Sequence, residues 1–371
     1  MDGRERRTGA FGYADPAVLG SPWTFGITHR NLTDGHRNSV NLAYPFRRVD
    51  QTWGLRARSE DLRKEVPFEQ AGEEAYAARM DAERARLELR GLVTRVGQAG
   101  WRVGLGWERD YAVFGPLVAK QPDLRAAPTL TNRRLQGPYV VVERFSDQYQ
   151  SFRNVRAIGI TEDYNLGLEA RLLAGRYTDD GRDERPWFGR AELTYGAQLA
   201  GGNLLLADLS LAGRRRSGGD WVANHLSLGG DYYHRTGRQN RIVAHGELDW
   251  QEGPDPEDEL YLGGFDGLLG YPGRFRVGNR RWLVHLADRF TTGIILLDTL
   301  QIGYTAFVEA GNIRGLNGEW GDTLADLGGG LRLGNIRGSS RSVMYMAVAM
   351  PLVDAATQKD YQLVIGSTLE F

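Results

Sequence analysis

Several absences frame this chain. It has no cysteine, which excludes a disulfide framework and thiolate metal ligands. It has no run of eighteen apolar residues, and its mean hydropathy is -0.43. That excludes a bundle of membrane-spanning helices. Lysine is nearly missing: among 46 basic residues only Lys64, Lys120 and Lys359 are not arginine. Net charge is -1, so no global field draws the chain to nucleic acid or anionic lipid. The opening Met-Asp-Gly-Arg-Glu-Arg-Arg lacks the apolar core of a secretory signal. The expectation is a chain that is not exported, or a mature or truncated segment.

What is present is alternation. Ile242, Ala244, Gly246, Leu248 and Trp250 oppose Arg241, His245, Glu247 and Asp249. Trp101, Val103, Leu105 and Trp107 oppose Arg102, Glu108 and Asp110. Leu300, Ile302, Tyr304, Ala306 and Val308 oppose Gln301, Thr305 and Glu309. Such period-two stretches are strands with one apolar and one wet face. A large soluble all-β protein is the bland rival. It would have to bury arginines and acids unpaired in its core. A transmembrane β-barrel turns those faces to a watery lumen and carries Trp and Tyr at its rims.

Residues 1–371 read as one domain, an all-β transmembrane antiparallel barrel of about sixteen strands. Residues 60–75 read as a charged external loop, and 115–137 as a proline-bearing one. Residues 74–96 read as strand from the alternation of Ala85, Leu87 and Leu89 against Arg84, Arg86 and Glu88, although their composition also suits a helix. Residues 139–152 and 163–177 read as wall strands. Residues 253–279 have no period at all, yet carry Tyr261, Phe265, Leu268, Leu269, Tyr271 and Phe275 among glycines. They read as a long loop folded into the lumen. The acids Asp255, Glu257, Asp258 and Glu259 read as solvated loop charge.

Five places together resemble the barrel domain of the BamA/TamA family of outer-membrane assembly proteins, the bacterial surface-antigen superfamily. Asp15-Pro16-Ala17-Val18-Leu19-Gly20 is similar to an early family turn. Leu262-Gly263-Gly264 followed by Gly267-Leu268-Leu269-Gly270-Tyr271-Pro272 resembles the family's long loop and its tip. Phe307, Glu309 and Gly311 resemble the inner-wall strand that the tip meets. Gly328-Gly329-Gly330-Leu331-Arg332 resembles a later strand. Tyr361, Gly366, Leu369 and Phe371 resemble the terminal strand and its closing aromatic signal. The resemblance implies insertion or translocation of client proteins at a Gram-negative-type outer membrane, through a weak seam between first and last strands. Its implied partners are the bilayer, unfolded clients and accessory assembly proteins. Two departures stand out. Leu269 occupies the family's arginine position, and Glu309 replaces an aspartate. We therefore expect Arg274 or Arg276 to supply charge to Glu309, the alternative being an apolar tip over a water-solvated acid. No POTRA domain fits upstream of residue 8, so the chain is expected to be a fragment or a form without them.

Other chemistry finds little support. Gly263-Gly264-Phe265-Asp266-Gly267 lacks the Lys-Ser/Thr ending of a phosphate loop. The six histidines show no metal spacing. We expect no enzyme, no cofactor, no metal and no nucleic acid. The rival functions are a passive channel or structural barrel and, more remotely, a lipase.

Overall fold

The computed structural model describes residues 7–337, 342–353 and 360–368. The fold is a transmembrane antiparallel β-barrel built as a meander. Its first staves are β1 (Arg7–Asp15), β2 (Thr24–Leu32), β3 (His36–Tyr44), β4 (Trp53–Gln70), β5 (Glu73–Val96), β6 (Ala99–Ala119) and β7 (Arg133–Ser146). A small hairpin, β8 (Tyr149–Arg153) and β9 (Thr161–Asn165), forms its own sheet. The wall resumes with β10 (Gly167–Arg176), continued by β11 (Thr178–Asp179). Then come β12 (Trp187–Leu199), β13 (Asn203–Arg215), β14 (Trp221–Arg235) and β15 (Asn240–Glu252). A three-residue strand, β16 (Leu260–Leu262), lies within the long loop. The last staves are β17 (Arg276–Leu296), β18 (Leu300–Gly315), β19 (Leu324–Asn335), β20 (Val343–Pro351) and β21 (Gln362–Thr368). Each stave pairs antiparallel with the next. The main sheet has nineteen strand segments, and setting aside β11 and β16 leaves seventeen staves.

Side chains sort as a barrel in lipid requires. Leu105 is 67% exposed on the outer face, while its neighbour Arg102 is 8% exposed inside. An arginine on the lipid face would cost about 2–4 kcal/mol at mid-bilayer. The lumen instead supplies acids: Arg102 meets Glu143 at 2.7 Å and lies between the rings of Phe46 and Phe145. Aromatic rings mark one rim, where Tyr44 stacks on Trp53 with centroids 4.3 Å apart and Trp23 joins them. At the other rim Arg176 covers Trp187 and Arg280 covers Trp250.

Staves β4 and β5 depart from expectation. Residues 60–75 are not a loop: β4 runs to Gln70 and β5 starts at Glu73. Their outer faces change from Leu55, Ala57 and Leu87 to ion-paired Arg63 and Asp81, 2.5 Å apart. Strands 18 and 24 residues long outrun the roughly 9–11 residues that cross a bilayer. Their charged ends therefore stand clear of lipid. The expected loop 115–137 likewise shrinks, since β6 runs to Ala119 and β7 begins at Arg133.

The hairpin β8–β9 corrects another reading. Residues 149–153 and 161–165 are not wall. They fold into the lumen at the end opposite the long loop. Phe152 and Val155 pack on Leu204, Tyr233 and Val243 from the wall. Glu162 accepts the N–H of Val155 at 2.9 Å and those of Arg156 and Ala157 at 3.2 Å. The Arg156 guanidinium reaches Asp231 at 3.0 Å, and its carbonyl accepts from Arg332 at 2.8 Å.

Candidate functional site: the seat of the long loop

Residues 253–275 leave β15 and return at β17. The limb doubles back because β16 pairs with the start of β17, Leu260 opposite Gly278 and Leu262 opposite Arg276. The reversal needs Gly263, whose φ is 121° and whose hypothetical Cβ would lie 2.5 Å from the Pro272 carbonyl oxygen. Beyond it, Leu262, Leu268, Tyr271 and Phe275 form an apolar cluster with Leu283, Ile313 and Leu324 of the wall. Gly311 leaves room for it: a Cβ there would meet Leu262 and Leu283 at 3.3 Å. Leu268 sits in the left-handed region at φ 73°. A non-glycine residue there is strained and persists only where its surroundings hold it.

The tip supplies that hold. The Leu269 N–H donates to Glu309 at 2.8 Å, and the Gly270 N–H donates to Asp326 at 2.8 Å. Glu309 and Asp326 face each other across the β18–β19 ladder, so two successive amides grip two neighbouring carboxyl groups. The Tyr271 hydroxyl, buried, lies 2.7 Å from the Val353 carbonyl oxygen and 3.0 Å from that of Ala325. Gly270 cannot be larger, because a Cβ would stand 2.7 Å from the Asp326 Cβ and 3.0 Å from the Pro351 nitrogen. The Leu269 side chain packs against Ala287, Phe307, Ala347 and Ala349. Pro272 closes over β4–β5, 2.8 Å from where a Cβ on Gly72 would be.

The expected arginine partner for Glu309 is a correction. Arg274 lies 3.6 Å from Glu69 and over the Tyr261 ring, and Arg276 donates to the Asp322 carbonyl at 2.6 Å. Among the described residues neither pairs with Glu309. Both stand where the loop re-enters the wall, while Glu309 sits deeper. Its side-chain partner is His285 Nδ1, 2.8 Å away on the next stave. The alternative of a water-solvated acid is also set aside, since Glu309 is buried.

Three of the four limb acids are not solvated charge either, while Asp258 is exposed as expected. Glu257 meets Arg133 at 2.6 Å and Arg84 at 3.2 Å, Asp255 meets Arg214 at 2.5 Å, and Glu259 takes both nitrogens of Arg125 at 2.6 and 2.8 Å. The signal was the i, i+2 spacing of the acids; the partners lie more than a hundred residues away in the chain, or on another stave.

At the terminal stave, Tyr361 is exposed just before β21. Gly366 lies opposite Tyr345, whose ring occupies the space a side chain would take. Glycine here accommodates a neighbour's ring rather than merely thinning the strand. Leu369 and Phe371 lie outside the described residues.

No protein-family model matches this chain, and no curated protein sequence does. Solved structures do. BamA from Haemophilus ducreyi, in a form lacking POTRA domains 1-3, aligns with a TM-score of 0.51 at 12% identity, covering 98% of this chain and 69% of that one. The barrel has the fold of BamA. CdiB from Escherichia coli aligns at 0.47 with 13% identity over 97% of this chain and 57% of that one. CdiB from Acinetobacter baumannii aligns at 0.44 with 13% identity over 95% and 55%. The chain thus spans between about half and two thirds of the length of BamA and the CdiB structures.

Proposed function

We propose that this BamA-like barrel inserts or translocates proteins at a bacterial outer membrane, without enzymatic chemistry. The observation that carries the reading is the geometry of the outermost staves. β1 and β21 run in the same direction, because an even number of antiparallel steps separates them in a seventeen-stave meander. One strand antiparallel to both fits between them. Unpaired backbone groups are costly in lipid, and a strand edge recruits another strand by main-chain hydrogen bonds. A client β-strand meets that demand.

The filled lumen supports the same reading over a passive channel. The long loop occupies one end and the β8–β9 hairpin the other, each tied to the wall by several hydrogen bonds. Unfolded outer-membrane proteins are the expected clients, with accessory partners at the hairpin end.

The test uses the absence of native cysteine. Full-length protein carrying Gly12→Cys or Ile365→Cys is placed in liposomes with an unfolded β-barrel client bearing one cysteine near its terminal strand. Disulfide capture at both positions, with faster client folding than in empty liposomes, is expected. Unchanged folding and no capture, together with steady ion conductance in planar bilayers, would sink the proposal and favour the channel.

A further inference from the structure

We infer that the lumen contains a binding site for an acidic peptide segment, in an arginine-lined chamber beside the long loop. The chamber has a volume of about 580 Å³ and is lined from β4 to β7 and from β12 to β14, with Asp255 and Asp258 of the loop at its edge. That size is ordinary for a ligand site.

Its wall acids are already taken, and Asp258 of the loop is the one lining acid with no ion pair among the described residues. Glu60 binds Arg58 at 3.0 Å, Glu108 binds Arg86 and Arg190 at 2.9 Å each, and Asp110 binds Arg133 at 2.8 Å. Cationic capacity is left over. Arg56 makes no ion pair among the described residues and is exposed to the chamber. Arg58 stands directly opposite Arg86 in the β4–β5 ladder, and both are well exposed. Like charges opposed across a ladder destabilise it. An anion placed between them removes that cost.

The spacing selects a peptide over a compact phosphate. Arg56 and Arg58 are alternate residues of one strand, and so are Arg84 and Arg86 of the next. Alternate side chains on an extended chain repeat at about 6.6–6.8 Å, the interval of an extended peptide with acids at every second position. The loop already sets acids on this wall, although through a turn in which the Asp258 N–H donates to the Asp255 carbonyl at 2.9 Å and not as an extended strand. Asp255, Glu257 and Glu259 alternate, and Arg214, Arg133 and Arg125 receive them. Arg84 already meets Glu257 of the loop; the chamber continues the same wall with Arg56, Arg58 and Arg86, which no carboxylate of the loop meets among the described residues. As a substrate class this rests on the assembly reading. Peptide affinity and client folding are separate measurements, so one can fail while the other holds.

The probe is a fluorescent decapeptide with Glu or Asp at alternate positions, titrated by anisotropy into the full chain in detergent micelles. A matched Gln/Asn peptide and inorganic pyrophosphate are the controls. Saturable binding of the acidic peptide is expected, weakened at least tenfold by Arg56→Gln combined with Arg58→Gln. The neutral peptide should bind at least tenfold more weakly than the acidic one. Arg56→Gln alone breaks no ion pair among the described residues, and both variants are checked for folding by their thermal midpoints. Equal binding of the neutral peptide, unchanged affinity in both variants, or a site that takes pyrophosphate and refuses the peptide would each overturn the inference.

Discussion

The long loop is held at two places by opposite means. Its limb, residues 255–259, binds the arginine wall of β5, β7 and β13 through carboxylates. Its tip, residues 268–271, binds the wall of β17–β20 through backbone N–H groups and apolar packing, and there the wall supplies the acids. Charge runs from loop to wall at one end and from wall to loop at the other. The limb seat is strong only while every ion keeps its partner, because a buried charge left alone is penalised heavily. The tip seat tolerates no extra volume, because its glycine touches backbone. The two seats should therefore fail under different substitutions.

The largest effect is expected from Arg133→Met. Arg133 is buried between Asp110 and Glu257, with Asp255 3.8 Å away. Removing it takes the nearest cation from Asp110 and Glu257 and leaves Arg84 to serve both, at 3.5 and 3.2 Å, a cost of about 3 kcal/mol, the low end for breaking a buried pair. The thermal midpoint in detergent should fall, and protease should cut within residues 253–275. An unchanged midpoint would mean that the limb is not seated by charge. Gly270→Val comes next, at about 1–3 kcal/mol for overpacking. A cysteine at Leu269 should then label faster, while the limb stays protected. Labelling that exposes both ends together would collapse the distinction between the seats.

These contrasts also explain what the sequence could disclose. The staves were legible, because a wall between lipid and water writes period two into every strand. Hairpin β8–β9 was misread for the same reason: Phe152 alternates with Ser151 and Arg153 whether it faces a lumen wall or forms one. The charged outer face of Asp61 and Arg63 resembled a loop, because alternation by polarity stops where lipid stops. The tip residues stood out as a unit of the loop, but their bonds did not. Leu269 and Gly270 act through amides, which every non-proline residue has. His285 meets Glu309 only because register sets them opposite. The arginine partners of the limb depend on how the wall curves around the lumen, which local pattern does not encode.

Tyr271→Phe probes the tip more gently. It keeps the ring in the apolar cluster and removes the hydroxyl that meets Val353 and Ala325. The loss should be about 0.5–1.5 kcal/mol, the net worth of a hydrogen bond. Hydrogen exchange at the Leu269 and Gly270 amides should quicken without change at the limb. Quickening of limb amides to the same degree would couple the two seats.

The smallest effect is expected at Asp258, and it should appear only with pH. Asp258 faces the chamber's water but stands among protein on its other sides. Burial, and then the neighbouring Glu257 and Asp255, push its carboxyl up to about 6. An unfolded aspartate titrates near 3.9. The docked loop thus holds this proton more tightly than the undocked chain. That preference favours docking fully below about pH 4 and is lost as pH rises through about 6. Asp258→Asn removes the charge that forms above that point, so the variant should dock more firmly at pH 7.5 and equally at pH 4. Water in the chamber screens the interaction, which keeps the gain below about 1 kcal/mol. Thermal midpoints of the two proteins should therefore converge on acidification. A gap that persists at pH 4 would assign the effect to packing, and a destabilised variant at pH 7.5 would mean that the Asp258 carboxylate, too, is held by an arginine of the limb's seat.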